Sequence, residues 1–224
     1  VNLGTPATSD NCTVASVTNN AVEPFAPGTT VVTWTVTDGS GNTATCNQNV
    51  TVIDNQLPTI TCPADVTVPA NTNICTASGV NLGTPATSDN CTVASVTNNA
   101  VEPFALGTTV VTWTVTDGSG NTATCTQNVT VIDNQIPTIT CPADVTVPAD
   151  AALCTASGVN LGTPATSDNC TVASVTNNAV EPFALGTTIV TWTVTDGSGN
   201  TATCNQNVTV IDNQLPTITC PANV

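Results

Sequence analysis

Residues 110–125 read Val-Val-Thr-Trp-Thr-Val-Thr-Asp-Gly-Ser-Gly-Asn-Thr-Ala-Thr-Cys. Val111, Trp113 and Val115 fall on one face of an extended chain and Thr112, Thr114 and Thr116 on the other, the period-two pattern of a half-buried strand. Asp117-Gly118-Ser119-Gly120-Asn121 supplies residues that tolerate positive φ or bond locally to the backbone, which predicts a hairpin closed by a short bulged loop. The stretch recurs at residues 31–46 and, with Ile for one Val, at residues 189–204. This hairpin is therefore the organising unit, present three times.

Composition sets the chemical limits. The chain has 15 acidic residues and no Lys, Arg or His, a net charge of −15. Phosphate binding relies on Lys and Arg, so nucleic acid and anionic membrane surfaces are excluded as partners. The natural counter-ion is a metal cation, and Ca2+ suits carboxylate and carbonyl oxygens best. Charged residues are only 7% and hydrophobic ones 40%, which predicts a folded, hydroxyl-coated β protein rather than a solvated acidic tail. Eleven Cys without His point to disulfides and an extracellular or cell-surface setting. No apolar run is long enough for direct membrane insertion.

Val1-Asn2-Leu3-Gly4-Thr5-Pro6 recurs at Val80 and Val159, a period of 79 residues suited to a small autonomous β domain. Each unit opens after Asp-Asn-Gln-Leu/Ile-Pro. This parsing predicts a domain over 1–55 that lacks its first strand, complete domains over 56–134 and 135–213, and at 214–224 the first strand of a following repeat. Within the second unit it predicts strands over 59–68, 74–82 and 91–97 and a turn at 71–73, before the hairpin whose second strand runs over 122–132. Pro63 and Pro69 confine the first strand to a sheet edge. Short strands and frequent turns without helical periodicity indicate tandem immunoglobulin-like β-sandwich domains arranged end to end, an all-β fold. Trp34, Trp113 and Trp192, with Phe25, Phe104 and Phe183, are the expected core anchors. Two continuations are open: a longer array, or a trailing strand from Pro216 onward donated to the headless first domain of another copy. Both make a filament in which the chain's partners are copies of itself.

Each complete unit has four Cys, which allow three pairings. The first and last strands of a sandwich run the same way, so Cys62 can lie beside Cys125, leaving Cys75 for Cys91. The expected bridges are Cys62–Cys125, Cys75–Cys91, Cys141–Cys204 and Cys154–Cys170. Cys12, Cys46 and Cys220 are left with partners outside the chain.

Three acidic motifs recur, at the Asp-Asn of each linker, at Ser-Asp-Asn before the third strand, and in the hairpin loop. At one joint Asp54 and Asn55 are expected to approach Asp89, Asn90, Asp117 and Asn121. At the next, Asp133 and Asn134 approach Asp168, Asn169, Asp196 and Asn200. Converging carboxylates and carbonyls with no basic residue to neutralise them fit a calcium site. The same residues also fit turn chemistry alone. Asn11, Asn90 and Asn169 in Asn-Cys-Thr, and Asn49, Asn128 and Asn207 in Asn-Val-Thr, match the N-glycosylation pattern, which makes glycans further candidate partners.

Pro-x-Ile-x-Cys-Pro at 58–63, Asp89-Asn90-Cys91, the run from Gly107 through Trp113 to Asp117, Gly120-Asn121-Thr-Ala-Thr-Cys125 and Val129-Thr-Val-Ile-Asp133 together resemble the hyalin repeat (HYR) domain. That family is an immunoglobulin-like module of extracellular adhesion proteins, and the four-cysteine pattern resembles the style of long bacterial surface proteins. The resemblance implies a sandwich fold and a role in adhesion or extracellular scaffolding. The Asp-Asn-x-x-Pro linker is similar to the calcium-stiffened joints of cadherins. The expected function is thus a non-catalytic structural repeat of an extracellular filament or stalk, disulfide-stiffened, with calcium at the joints. The alternative is a calcium-dependent adhesin or carbohydrate-binding module. An enzyme is not expected, since without His, Lys, Arg or Tyr no base–nucleophile pair can be assembled.

Overall fold

A computed structural model describes residues 1–221, and among these all regular structure is β. The first repeat holds β1 (Val14–Asn19), β2 (Gly28–Asp38) and β3 (Thr43–Val52). The second holds β4 (Thr59–Thr61), β5 (Val66–Pro69), β6 (Thr76–Ala77), β7 (Ala86–Ser88), β8 (Val93–Asn98), β9 (Phe104–Ala105), β10 (Gly107–Asp117) and β11 (Thr122–Ile132). The third repeats this set as β12 (Thr138–Thr140), β13 (Val145–Pro148), β14 (Thr155–Ala156), β15 (Ala165–Ser167), β16 (Val172–Asn177), β17 (Phe183–Ala184), β18 (Gly186–Asp196) and β19 (Thr201–Ile211). The chain separates into two compact units. One comprises Val1–Cys62, Pro85–Asn98 and Trp113–Cys125, and the other the remaining residues.

The third repeat, wholly inside the second unit, shows how the sequence builds the sandwich. The hairpin strands β18 and β19 pair antiparallel from Gly186↔Val210 to Thr195↔Thr201. They form the middle of a four-stranded sheet in the order β13-β19-β18-β16. Alternate residues of β18 (Val190, Trp192, Val194) are buried, as the period-two pattern requires. The opposite layer is two short ladders, β12–β15 and β14–β17. Phe183 and Ala156 from these pack with Val190, Trp192, Val208 and Val210, and Ile139, Val147 and Leu161 close the edges. Burying each valine, isoleucine, leucine or phenylalanine among these contributes about 1.5–3 kcal/mol.

The first predicted strand, 59–68, is broken into β4 and β5. Pro63 has no N–H to continue a ladder, and the chain changes sheets there. β4 pairs antiparallel with β7, whereas β5 pairs parallel with β11 at the edge of its sheet. Of the strand expected over 74–82 only β6 forms, because Gly79 and Gly83 turn the chain at φ 71° and 76°. Residues 214–221 lie in no strand, and the expected strand's last residues, 222–224, lie outside the described residues.

Glutamines that the sequence reading overlooked fix Trp192 and Trp34. Gln206 is fully buried. Its Oε1 accepts the Trp192 indole N–H at 2.9 Å, and its Nε2 donates to the carbonyls of Ala143 and Leu161 at 2.7 and 2.9 Å. Gln127 likewise donates to Ala64 and Leu82, and Gln48 receives the Trp34 indole at 2.8 Å.

Cys62 is bonded to Cys125 and Cys141 to Cys204, closing the first strand of each complete repeat onto its last. The other two expected pairs, Cys75–Cys91 and Cys154–Cys170, do not form. Cys75 is bonded to Cys170, one repeat further on, while Cys91 and Cys154 are exposed free thiols. Strand register gives the reason. Cys154 precedes β14, whose partner β17 lies just before Gly186 at the start of β18. Cys170 precedes β16, whose Val172 faces Asp196 at the other end of β18. An 11-residue strand spans about 35 Å, far beyond the roughly 6 Å between Cα atoms that a disulfide allows.

Candidate metal centres beside the linkers

Each hairpin loop is closed by its first aspartate. Asp196 Oδ1 accepts the Ser198 and Asn200 amides at 2.9 and 2.7 Å, and Oδ2 accepts Asn200 Nδ2 at 2.8 Å. Gly197 lets the loop approach Thr171, since a Cβ there would lie 2.5 Å from the threonine hydroxyl oxygen. Asp117 makes the same set of bonds to Ser119 and Asn121. Both carboxylates are buried, which works to raise their pKa. The bonds from the asparagine side chain and the loop amides outweigh it and leave both below the ordinary aspartate value. Asp117 and Asp196, with Asn121 and Asn200, are thus engaged in turn chemistry.

The linker carboxylates are arranged differently. Asp133 follows β11 directly. Its Oδ1 accepts the Gln135 amide at 3.1 Å and Asn169 Nδ2 at 3.3 Å, and its backbone carbonyl accepts Asn200 Nδ2 at 3.2 Å. Asp168 Oδ2 accepts the Cys170 amide at 2.8 Å. The remaining oxygens, Asp133 Oδ2, Asp168 Oδ1 and Asn169 Oδ1, are buried without a hydrogen-bond partner. Asp133 as a residue is 8% exposed. Carboxylate oxygens of Asp133 and Asp168 and the Cys170 sulfur lie within 4.8 Å of one another. Two like charges at that spacing repel by about 3 kcal/mol at an effective dielectric of about 20, and no Lys or Arg exists in the chain to offset them. Three orphaned oxygens with a net negative charge are a donor set that fits a hard cation such as Ca2+.

The Cys75–Cys170 bond lies beside this cluster because the linker is glued to the turn that carries Cys75. Gln135 accepts the Asn73 amide at 3.1 Å and donates to the Asn71 carbonyl at 3.0 Å, and Asn169 Nδ2 reaches the Ile74 carbonyl at 3.4 Å.

The preceding linker, in the other unit, gathers Asp54, Asp89 and Cys91 in the same way. Asp54 Oδ2 and Asp89 Oδ1 are buried without partners. Asn90 and Asn121 donate to the Asp54 side chain and backbone at 3.4 and 3.1 Å. The Cys91 thiol is held above its ordinary pKa, first by its hydrogen bond to Asp54, then by burial and the charges of Asp54, Asp89 and Asp117. Asn55 and Asn134 are exposed.

Of the glycosylation candidates, Asn11, Asn49 and Asn90 are exposed, whereas Asn169 is half-buried in the acidic cluster. Asn128 and Asn207 donate their side-chain amides to Asp65 and Asp144 at 3.0 and 2.9 Å.

These carboxylates predict a pH dependence. Asp38, Asp65, Asp117, Asp144, Asp196 and Glu102 all sit below their ordinary pKa. A depressed folded-state value gives stability that is full above the unfolded pKa, about 3.9 for Asp and 4.3 for Glu, and is lost as pH falls through the folded value. Melting temperature in chelator should decline below about pH 4. Stability that rises on acidification through that range would contradict the assignment.

The HYR domain family model matches residues 1–52, 53–131 and 132–210. No curated protein sequence matches the chain. Solved structures similar to it include the protocadherin gamma B4 extracellular domain (16% identity, TM-score 0.38, covering 81% of this chain and 38% of that one). Protocadherin gamma C5 EC1–3 is similar at 12% identity and TM-score 0.41, with 83% and 78% covered. The human desmocollin-1 ectodomain is similar at 12% identity and TM-score 0.30, with 83% and 47% covered. The chain spans about 38% of the protocadherin gamma B4 structure's length. By its motifs, its all-β sandwich and the threefold family match, the chain belongs to the HYR domain family.

Proposed function

We propose that the chain is a non-catalytic structural segment of an extracellular filament or surface stalk, its repeats locked in series by disulfides and by calcium at the joints. The observation that carries this reading is the bond from Cys75 to Cys170, which ties a turn of one repeat to the Asp-Asn-Cys loop of the next, beside the orphaned oxygens of Asp133, Asp168 and Asn169. The division we adopt is 1–55, 56–134, 135–213 and an opening strand at 214–224. Disulfides support an extracellular setting. The absence of Lys and Arg leaves no trypsin-type cleavage site, which suits a durable fibre. Among the described residues no helix is long and apolar enough to cross a membrane.

Calcium at a hundredfold excess over Kd adds about 2.7 kcal/mol to the folded state, a rise of about 10 °C or more for a domain of this size. Chelator should remove that rise, and Asp133→Asn with Asp168→Asn should abolish the response of the third repeat. An unchanged melting temperature in calcium and chelator would dispose of the calcium and leave the filament standing. Electron microscopy of native material tests the filament itself. Long unbranched fibres are expected, and single rods with a distinct head would favour a calcium-dependent adhesin or carbohydrate-binding module.

A further inference from the structure

The turn over 71–75, the linker over 133–135 and the loop over 168–170 form one closed circuit. Gln135 holds the turn through Asn71 and Asn73, and its own amide donates to Asp133 Oδ1 at 3.1 Å. Asp168 Oδ2 accepts the Cys170 amide, which leaves Oδ1 as the oxygen without a partner. The Cys75–Cys170 bond closes the circuit. The noncovalent ties across it are weaker. Asn169 Nδ2 donates to the Ile74 carbonyl at 3.4 Å and to Asp133 Oδ1 at 3.3 Å, both long for a hydrogen bond. The β12–β15 ladder ends at Ser167, one residue short of the loop. Against these ties stands the repulsion between Asp133 and Asp168, with Asp133 only 8% exposed and its Oδ2 unpartnered. The covalent bond holds the two carboxylates together against that repulsion, and a cation between them turns repulsion into attraction. A cleft of about 160 Å³ lined by Asn73, Gln135, Asp168 and Asn169 gives a hydrated ion a way in.

We infer that the Cys75–Cys170 bond and a hard dication at Asp133 Oδ2, Asp168 Oδ1 and Asn169 Oδ1 are coupled. The bond positions the cation site, and the ion guards the bond against reduction. This rests on the calcium reading and adds its regulation. Linkage makes the effect reciprocal: the factor by which opening the bond weakens calcium is the factor by which calcium hinders opening. Opening by a dithiol transfers two electrons. One reductant thiolate attacks a sulfur of the pair and expels the other cysteine as thiolate. The second reductant thiol then displaces the first cysteine, leaving a cyclic disulfide and two cysteine thiols. A tenfold coupling corresponds to about 30 mV for this couple.

The test uses the full chain with its free thiols first blocked by alkylation. It is equilibrated in mixtures of reduced and oxidised dithiothreitol, with calcium or with chelator, and opened bonds are trapped by a second, heavier alkylating reagent. Cleavage at Asp and Glu places Cys75, Cys170, Cys141 and Cys204 on separate peptides. The dithiol ratio that half-opens Cys75–Cys170 should rise about tenfold in saturating calcium, while that of Cys141–Cys204 moves far less. D133N/D168N should open Cys75–Cys170 at one ratio with and without calcium. Calorimetric titration of C75S/C170S should give, at the site that D133N/D168N abolishes, a calcium dissociation constant about tenfold above the parent's. If that variant fails to fold, the dithiol ratio of the parent decides alone. A bond that is merely structural opens at the same ratio whatever ion is present. That result, with calcium still bound by the parent, overturns the coupling and leaves calcium standing. No calcium uptake by the oxidised parent at that site removes the calcium reading and the coupling together.

Discussion

Replacing Gln206 with Leu should destabilise the third repeat by about 3–6 kcal/mol. The substitution keeps the volume but leaves the Trp192 indole N–H and the carbonyls of Ala143 and Leu161 unpaired in a buried site. Each such group costs about 1–3 kcal/mol. A domain of this size has only about 5–15 kcal/mol in total, so the loss takes a large share of it. Peptide-resolved hydrogen exchange reads the effect, because protection in β18 and β19 should collapse while β2 and β3 hold. Equal protection in variant and parent would mean that water replaces the glutamine at no cost.

Replacing both Cys141 and Cys204 with Ala comes next in size. The bond spans 63 residues, and closing a loop of that length restrains the unfolded chain by about 4 kcal/mol. The urea midpoint of the third repeat should fall accordingly. The paired replacement of the exposed Cys12 and Cys154 should leave it unmoved, which controls for the chemistry of the substitution. A double variant as resistant as the parent would show that native strain offsets the loop restraint.

The hairpin was legible because period-two alternation in 110–117 leaves no competing reading, and the bridges Cys62–Cys125 and Cys141–Cys204, two of the four expected, followed from strand direction. Gln206 was legible too, had the inward face of its strand been extended: Cys204, Gln206, Val208 and Val210 alternate in one line. A polar residue on a core-facing line is a signal in itself. The Cys75–Cys170 bond was less accessible. It depends on the turn at 71–75 reaching the same place as the linker, and that is set by Gln135 bonding back to Asn71 and Asn73 across more than sixty residues. No local pattern encodes such a contact, so pairing within the repeat looked sufficient. The acidic loops were read as either metal ligands or turn residues. In the linker sites each aspartate does the second with one oxygen and leaves the other without a partner. The hairpin aspartates are wholly committed to the turn.

The bonds Cys62–Cys125 and Cys141–Cys204 also alter what happens when the molecule is pulled by its ends. Load arriving at Cys62 crosses the sulfur pair to Cys125, follows the 16-residue step to Cys141 and crosses to Cys204. That route is shorter than the one through Cys75 and Cys170, so it tightens first. Both 63-residue loops are bypassed, and at about 3.5 Å of extended chain per residue roughly 440 Å of contour is withheld from extension until a covalent bond breaks.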